Sequence, residues 1–495
     1  MLQRRPTRVV TIGNVKIGGN NKIAIQSMTC TRTKDKQATL NQINALYKAG
    51  CDIVRVAVLD SDDAYALKDI VLKSPVPIVA DIHFDYRLAL IAADANVSKI
   101  RINPGNIGAI ERIKLVVDKC KQKHIPIRIG VNTGSINKAI QEKYGNSAYA
   151  LVESAKEHIK ILEDLNFYDI VVSIKASSVI KTIEAYTLFS KEYDYPVHLG
   201  VTEAGTILAG SIKSSVAIGH LLLNGIGDTI RVSLTDDPVQ EVYAAKEILA
   251  SIGLLEKPEL VSCPTCGRCQ YDMMPIAKEM TDFLQSKKGK IKVAIMGCAV
   301  NGPGEAKDSD IGVAGGYKSA LLFKKGIIER KIPEINIVRD LKAEITMFLD
   351  NLTYTYYNKL NEDIIKLRTS IFIDEQGFTN EFDAIDNNAK FVCIYKDEKA
   401  IGTGRLYKID DNTFQIGRIA INKEYRNKGY GSIILMLLET KILSLFENES
   451  KSISILLSAQ EQAKDFYFKN GYIDMKENHY DEHVLHLMMR KERNK

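Results

Sequence analysis

At 495 residues, 45% of them apolar, the chain has material for several hydrophobic cores and is too long for one. Its 67 Lys and Arg against 61 Asp and Glu leave a net charge of only +6, with the signs interspersed, so neither a nucleic-acid partner nor a membrane partner is expected. There is no transmembrane run, and Met1-Leu2-Gln3-Arg4-Arg5-Pro6 leads into strand-like Val9-Val10-Thr11-Ile12 without the apolar stretch of a secretory signal. The expected location is therefore the cytoplasm, where clustered cysteines are metal ligands or redox groups rather than disulfides.

Taken in order, Thr7–Ile17 reads as a small hairpin, and from residue 20 to about 252 short β-rich runs alternate with amphipathic helical ones. The runs are Ile23–Ser27, Asp52–Val58, Pro77–Ile82, Lys99–Asn103, Pro126–Asn132, Asp169–Lys175, Pro196–Thr202 and Thr229–Ser233. Eight β/α units in about 230 residues predict a closed parallel (β/α)8 barrel of the TIM type over residues 1–254. An open doubly wound sheet is the alternative, but no Gly-rich dinucleotide fingerprint follows the first strand.

In such a barrel the chemistry sits at the C-terminal ends of the strands. There the sequence places Arg55, Arg101, Arg128, Lys175 and Arg231 on five different strands, among Gln26, Asp81, His83, Asn103, Asn132, Thr202, Glu203 and Ser233. Any one cation has an ordinary structural reading as the partner of a nearby carboxylate. Five at equivalent ends suit a phosphate or diphosphate, whose oxygens match the planar donor fork of arginine.

Gly253-Leu254-Leu255-Glu256-Lys257-Pro258 reads as a linker into a small α/β domain over 255–350, with a helix at 272–286, strands at 292–296 and 311–316, and a closing helix at 339–351. It carries Cys263-Pro264-Thr265-Cys266-Gly267-Arg268-Cys269 and, later, Gly297-Cys298-Ala299-Val300-Asn301-Gly302-Pro303-Gly304-Glu305. These two segments hold half of the chain's 8 cysteines in loop-forming, Gly/Pro-punctuated sequence, as a zinc or iron-sulfur site requires. Beyond Asn351 the pattern restarts: a helix at 358–374, strands at 391–396, 400–408 and 414–421, the loop Arg426-Asn427-Lys428-Gly429-Tyr430-Gly431 opening a helix to 445, a strand at 452–457, a helix at 460–470 and a strand near 484–489.

Residues 1 to about 350 resemble the (E)-4-hydroxy-3-methylbut-2-enyl diphosphate synthase family in Ile25-Gln26-Ser27-Met28-Thr29, Ala80-Asp81-Ile82-His83-Phe84, Ile100-Arg101-Ile102-Asn103-Pro104-Gly105-Asn106, Arg128-Ile129-Gly130-Val131-Asn132, Gly200-Val201-Thr202-Glu203-Ala204-Gly205 and both cysteine segments. The resemblance implies reductive dehydration and ring opening of methylerythritol cyclodiphosphate to an allylic diphosphate in isoprenoid biosynthesis. It implies a 4Fe-4S cluster on Cys263, Cys266, Cys298 and Glu305, substrate contacts from Arg55, Arg101, Arg128, Asn132, Lys175, Arg231 and Ser233, and catalytic roles for Glu203, as proton donor, and His83. It also implies ferredoxin or flavodoxin as electron donor, and a homodimer in which the cluster domain of one chain caps the barrel of the other. Cys269 and Cys30 depart from the family pattern, and Cys269 is expected to be a bystander to the cluster. Two further readings stand beside this one: a pterin- or corrinoid-linked methyltransferase barrel, and an iron-sulfur redox sensor.

Residues 351–495 resemble the GNAT superfamily of N-acetyltransferases, an α+β fold. The resemblance rests on Arg426-x-x-Gly429-x-Gly431 after three strands, on Leu367-Arg368-x-x-Ile371-Phe372-x-x-Glu375-Gln376, and on Leu457-Ser458-Ala459-Gln460 followed by Phe466-Tyr467-x-x-Asn470-Gly471-Tyr472. It implies acetyl-CoA as cofactor, held at Arg426, Gly429 and Gly431 by backbone N–H groups at a helix N-terminus, with Tyr467 as general acid and an acceptor that the sequence does not reveal.

Overall fold

The computed structural model describes residues 3–298, 304, 306–446 and 452–493, which fall into two compact units, Met1–Leu255 and Glu256–Lys495. In the first, a hairpin of β1 (Val10–Ile12) and β2 (Val15–Ile17) precedes eight parallel strands: β3 (Ala24–Met28), β4 (Ile53–Ala57), β5 (Ile78–Asp81), β6 (Lys99–Ile102), β7 (Ile127–Asn132), β8 (Ile170–Lys175), β9 (His198–Leu199) and β10 (Thr229–Ile230). Their order is β8-β7-β6-β5-β4-β3-β10-β9, and backbone pairing of Val172 with Val197 joins β8 to the run before β9, closing the barrel. Strands β5, β6 and β8 are buried at every position, as expected of parallel strands covered on both faces.

Helix starts are written in the loops that follow the strands. Asp35, Asp60, Asp85, Ser147, Ser178 and Asp237 each accept an N–H from the first turn of the next helix, a cap worth about 1 kcal/mol. The hairpin packs Val10, Ile12 and Ile17 onto Ala24, Ile53, Val79 and Val171. Strands β9 and β10 are shorter than the runs 196–202 and 229–233. Near their start a side chain replaces a ladder partner: the Asp228 carboxylate accepts the Val197 N–H at 2.8 Å.

The second unit holds two sheets. The first, β11 (Glu259–Ser262), β12 (Lys292–Met296), β13 (Ile311–Gly316), β14 (Ser319–Lys324) and β15 (Ile327–Pro333), packs against helices Met273–Gln285 and Ile337–Leu349. The second comprises β16 (Leu352–Tyr357), β17 (Lys390–Lys396), β18 (Lys399–Lys408), β19 (Thr413–Ile421), β20 (Ile453–Gln460), β21 (Ile473–Asp481) and β22 (Val484–Arg493), in the order β16-β17-β18-β19-β20-β22-β21. The edge strands β16 and β21 are absent from the sequence reading; β21 is mostly exposed and loses its apolar alternation after Met475, whereas the alternation Leu352-Thr353-Tyr354-Thr355-Tyr356 of β16 was a usable signal. The helix expected at 358–374 starts only at Glu362, where the Asn361 side chain caps the Ile364 N–H.

The two sheets share a core. Ala343 and Met347 of the 337–349 helix pack in one cluster with Ile433, Leu437, Ile455 and Met489. Beside it Glu439, with no solvent exposure, accepts from Arg339 Nη1 (2.8 Å), Lys491 Nζ (3.1 and 3.3 Å), Arg493 and the Tyr472 hydroxyl (3.0 Å).

Candidate active sites

The barrel mouth is built by register. Across three neighbouring strands Asp81 pairs with Arg101 and Arg101 with Arg128, which sets two guanidiniums and one carboxylate in a single row. Adjacent strands lie about 4.8 Å apart, so the row is a patch of dense charge. Asp81 accepts from Arg101 Nη1 at 2.9 Å, and its other oxygen is 3.5 Å from Arg55 Nη1. His83 Nε2 lies 2.8 Å from Arg101 Nη1 and 3.6 Å from Asp81. Burial alone would hinder ionisation of Asp81, but Arg55, His83, Arg101 and Arg128 outweigh it and hold the carboxyl well below its usual range.

The cations are in excess. Arg128 is 1% exposed, and its Nε and Nη1 have no hydrogen-bond partner among the described residues. Burial, then Arg55 and Arg101, pull its pKa well down; burial, then Arg128, Arg231, Arg55 and Arg101, do the same to Lys175. Arg55 falls to about 10, chiefly through burial. Two glycines make the room: a Cβ at Gly130 would fall 2.6 Å from Arg101 Nε, and one at Gly200 would fall 2.5 Å from Lys175 Nζ. Such a set carries more positive than negative charge, which suits a group with several anionic oxygens.

Other expected residues are placed differently. Arg231 is spent on Glu241, with Nε and Nη2 at 3.1 and 3.0 Å, and Ser27 donates to the same carboxylate at 2.7 Å. Glu203 is exposed in a left-handed conformation (φ 55°) in the loop after β9. Asn132 stands in register with Lys175, and Ser233 is half-buried beyond β10. The sequence reading missed three groups. Glu241 is buried in the first turn of the 238–251 helix. Lys99 is fully buried with its Nζ unpartnered among the described residues, and His198 is fully buried with Nδ1 2.7 Å from Thr229 Oγ1. The spacing Lys99-x-Arg101 on one strand was a usable signal, since alternate residues share a face.

In the second unit, Cys263 follows β11 and Cys298 follows β12, neighbours in a parallel pair. The Gly297 N–H donates to Cys263 Sγ at 3.2 Å. The exposed Cys266 thiol is drawn down by the backbone N–H and then the side chain of Arg268. Sulfur acceptors fed by backbone N–H groups, and a thiol biased toward thiolate, are what a metal cluster asks of its ligands. Cys269 instead donates its thiol to the Tyr271 carbonyl at 3.2 Å. Among the described residues no three His, Cys, Asp or Glu are gathered at metal-binding distance; Glu305 lies outside those residues.

At the second sheet, β19 and β20 pair only from Thr413↔Ser454 to Ile416↔Leu457 and then diverge. Gly429, left-handed at φ 86°, caps the 430–445 helix, and a Cβ at Gly431 would meet the Phe466 ring at 3.1 Å. Arg426 is clasped by both oxygens of Glu375 at 2.6 and 2.7 Å and donates to the Ile421 carbonyl. Tyr467 lies beside the fork, and burial pushes its phenol up to about 12.

Three families of known proteins match successive segments of the chain. Residues 7–246 match the GcpE TIM-barrel domain, 259–347 the GcpE protein C-terminal domain and 361–493 an acetyltransferase (GNAT) domain. A 4-hydroxy-3-methylbut-2-en-1-yl diphosphate synthase (flavodoxin) from Clostridium perfringens is 57% identical over 342 residues, 69% of this chain and 98% of the relative. The protein of that name from Clostridium acetobutylicum is 56% identical over 346 residues, 70% and 99% of the two chains. An acyl-CoA N-acyltransferase from Pseudomonas aeruginosa, a solved structure, aligns with 28% of this chain and 99% of its own at 20% identity and a TM-score of 0.26.

Proposed function

The chain belongs to the GcpE family of 4-hydroxy-3-methylbut-2-en-1-yl diphosphate synthases, and from that membership we propose how its residues act. It is an oxidoreductase of isoprenoid biosynthesis with a GNAT acetyltransferase domain fused behind the synthase segments. Its reaction opens the cyclic diphosphate of methylerythritol, takes up two electrons and releases a hydroxyl as water.

The observation that carries the reading of the site is the cation row with Asp81 as its near counter-charge. Arg55, Arg101, Arg128 and Lys175 hold the diphosphate, while Asp81 and His83 keep Arg55 and Arg101 aimed at it. Asn132 and Ser233 complete the polar lining, and Arg231 acts through its pairing with Glu241. Glu203, on its exposed loop, gives the proton that turns the departing hydroxyl into water. Cys263, Cys266 and Cys298 with Glu305 would hold a 4Fe-4S cluster, which when bound supplies the electrons and a Lewis-acid position for the substrate oxygen. Flavodoxin, which the relatives carry in their names, is the reductant, with ferredoxin the second choice. The working protein is a cytoplasmic homodimer, and its functional segments are 1–254, 255–350 and 351–495. In the last, the N-terminus of the 430–445 helix with Gly429 and Gly431 receives the pyrophosphate of acetyl-CoA, Arg426 braces that loop, and Tyr467 returns a proton to the thiolate.

The test is turnover. Anaerobic, iron-loaded protein given reduced flavodoxin and the cyclodiphosphate is expected to form the allylic diphosphate. Iron-replete protein that binds the substrate and forms no product refutes the assignment.

A further inference from the structure

The diverging ends of β19 and β20 open onto a cleft with Gly417, Arg418 and Ile419 on one strand and Ser458 and Gln460 on the other. The pairing of β18 with β19 slips between Thr403 and Arg405, near Gly417, and Arg418 is left-handed at φ 50°; Arg418 lines the cleft at this bulge.

The charges around it do not balance. Arg368 is closed off by Glu381 Oε1 at 2.6 Å and Asp386 Oδ1 at 2.8 Å, and Arg405 Nη1 by Asp383 and Asp386, both at 2.7 Å. Arg418 Nε lies 3.0 Å from Glu381 Oε2. Among the described residues three guanidiniums thus engage three carboxylates, and a fourth, Asp481, stands on the cleft wall with its side chain 41% exposed, 3.9 Å from Arg418 Nη1. The hairpin that carries Asp481 is pinned in place, because Glu482 accepts the backbone N–H groups of Thr379 and Asn380 at 2.9 and 2.8 Å.

His486 lines the same cleft at 6% exposure, with Nδ1 3.0 Å from the Val484 carbonyl. A carbonyl only accepts, so the proton sits on Nδ1 and Nε2 keeps its lone pair. The groups facing this ring are His479, stacked at 5.8 Å, Phe378 at 6.5 Å, Asp481 and Arg418. Burial draws the imidazole's pKa down against the Val484 carbonyl and Asp481, so the ring is neutral near pH 7.

We propose that this cleft takes a small alkyl di- or polyamine as acetyl acceptor, with Asp481 seating an ammonium and His486 Nε2 removing the proton from the nitrogen that reacts. The proposal rests on the reading of residues 361–493 as an acetyltransferase. An α-amino acid fits worse, because Arg418, the guanidinium placed to receive its carboxylate, is already held by Glu381. In the reaction His486 takes one proton from the ammonium, and the amine nitrogen attacks the thioester carbon of acetyl-CoA. The C–N bond forms, the C–S bond breaks with its electron pair going to sulfur, and Tyr467 protonates the thiolate. The second amine proton restores Tyr467 and the His486 proton passes to solvent, so the products are the N-acetylamine, CoA thiol and one proton.

The test uses the full chain, with acetyl-CoA binding measured by calorimetry and CoA release followed with spermidine or alanine as acceptor. Spermidine is expected to show a kcat/KM at least tenfold above that of alanine, and D481N to raise the KM for spermidine about tenfold. H486N retains a donor for the Val484 carbonyl and lacks Nε2. It should bind acetyl-CoA, lose at least a hundredfold in kcat and lose the acid limb of the pH profile. Preference for alanine, an unchanged KM in D481N, or an intact acid limb in an H486N that binds acetyl-CoA overturns the proposal; if H486N does not bind acetyl-CoA, D481N decides. Acetyl-CoA bound without transfer to either amine overturns the acceptor alone, whereas no binding of acetyl-CoA overturns the acetyltransferase reading beneath it.

Discussion

Substituting Glu439 by Gln tests whether the fused domain is welded to the cluster segment or merely tethered. The carboxylate is fully buried and holds Arg339, from a helix inside the GcpE C-terminal match, together with Lys491 and Arg493 of the acetyltransferase match. Burial opposes its ionisation, but Arg339, Arg493 and Lys491 overcome that and bring its pKa from 4.5 to about 2. At about 1.4 kcal/mol per pKa unit this amounts to about 3 kcal/mol, within the ~3–5 kcal/mol cost of breaking a buried pair. A depressed acid pKa contributes stability that is fully present above pH 4.5 and is lost as pH falls toward 2. E439Q should therefore lower the melting transition of residues 256–495 by about 6–12 °C at pH 7, given ~2–4 °C per kcal/mol at this size. It should also remove the acid-dependent increment of wild-type stability between pH 4.5 and 2. The chain has no Trp, so scanning calorimetry of iron-loaded protein is the suitable assay. A shift under about 2 °C, or an unchanged acid dependence, would refute the reasoning.

The remaining predictions concern the two sites. R128M removes two unpartnered N–H donors and one of several crowded cations, so the KM for the cyclodiphosphate should rise at least tenfold in turnover assays. In the same variant the thermal stability of the barrel unit should hold or rise by about 1 kcal/mol, because an uncompensated buried charge is gone. C269S should keep its iron, its thiol being spent on the Tyr271 carbonyl, whereas C266S should lose iron in a metal analysis. Y467F should keep acetyl-CoA affinity and lose about tenfold or more in kcat, since its phenol stays protonated up to about pH 12 and serves as an acid.

Much of the site was legible because barrel strands are simple readers of their own sequence. A residue near a strand's C-terminal end stands at the mouth, so Arg55, Arg101, Arg128 and Lys175 could be named from position alone. Glu241 could not: it lies on a helix eight residues past Ser233 in a run that reads as an ordinary amphipathic start, and only folding brings it against Arg231 and Ser27. The same holds for the strand β21, whose mostly exposed residues carry no sustained periodic pattern.

Sequence alone determined the family, the eight-unit barrel and the presence of a second enzyme domain, because each is carried by local motifs and by periodicity of burial. Tertiary structure decided which charges are free and which are spent. Arg231 and Arg426 are neutralised by Glu241 and Glu375, Arg128 is not, and Asp481 has Arg418 Nη1 no nearer than 3.9 Å. It also decided that the acetyltransferase core is completed by the 337–349 helix of the synthase segment. The physical reason is the same in each case: the state of a charge is set by partners distant in the chain, and a buried one such as Glu439 exists only where the fold gathers its counter-charges around it.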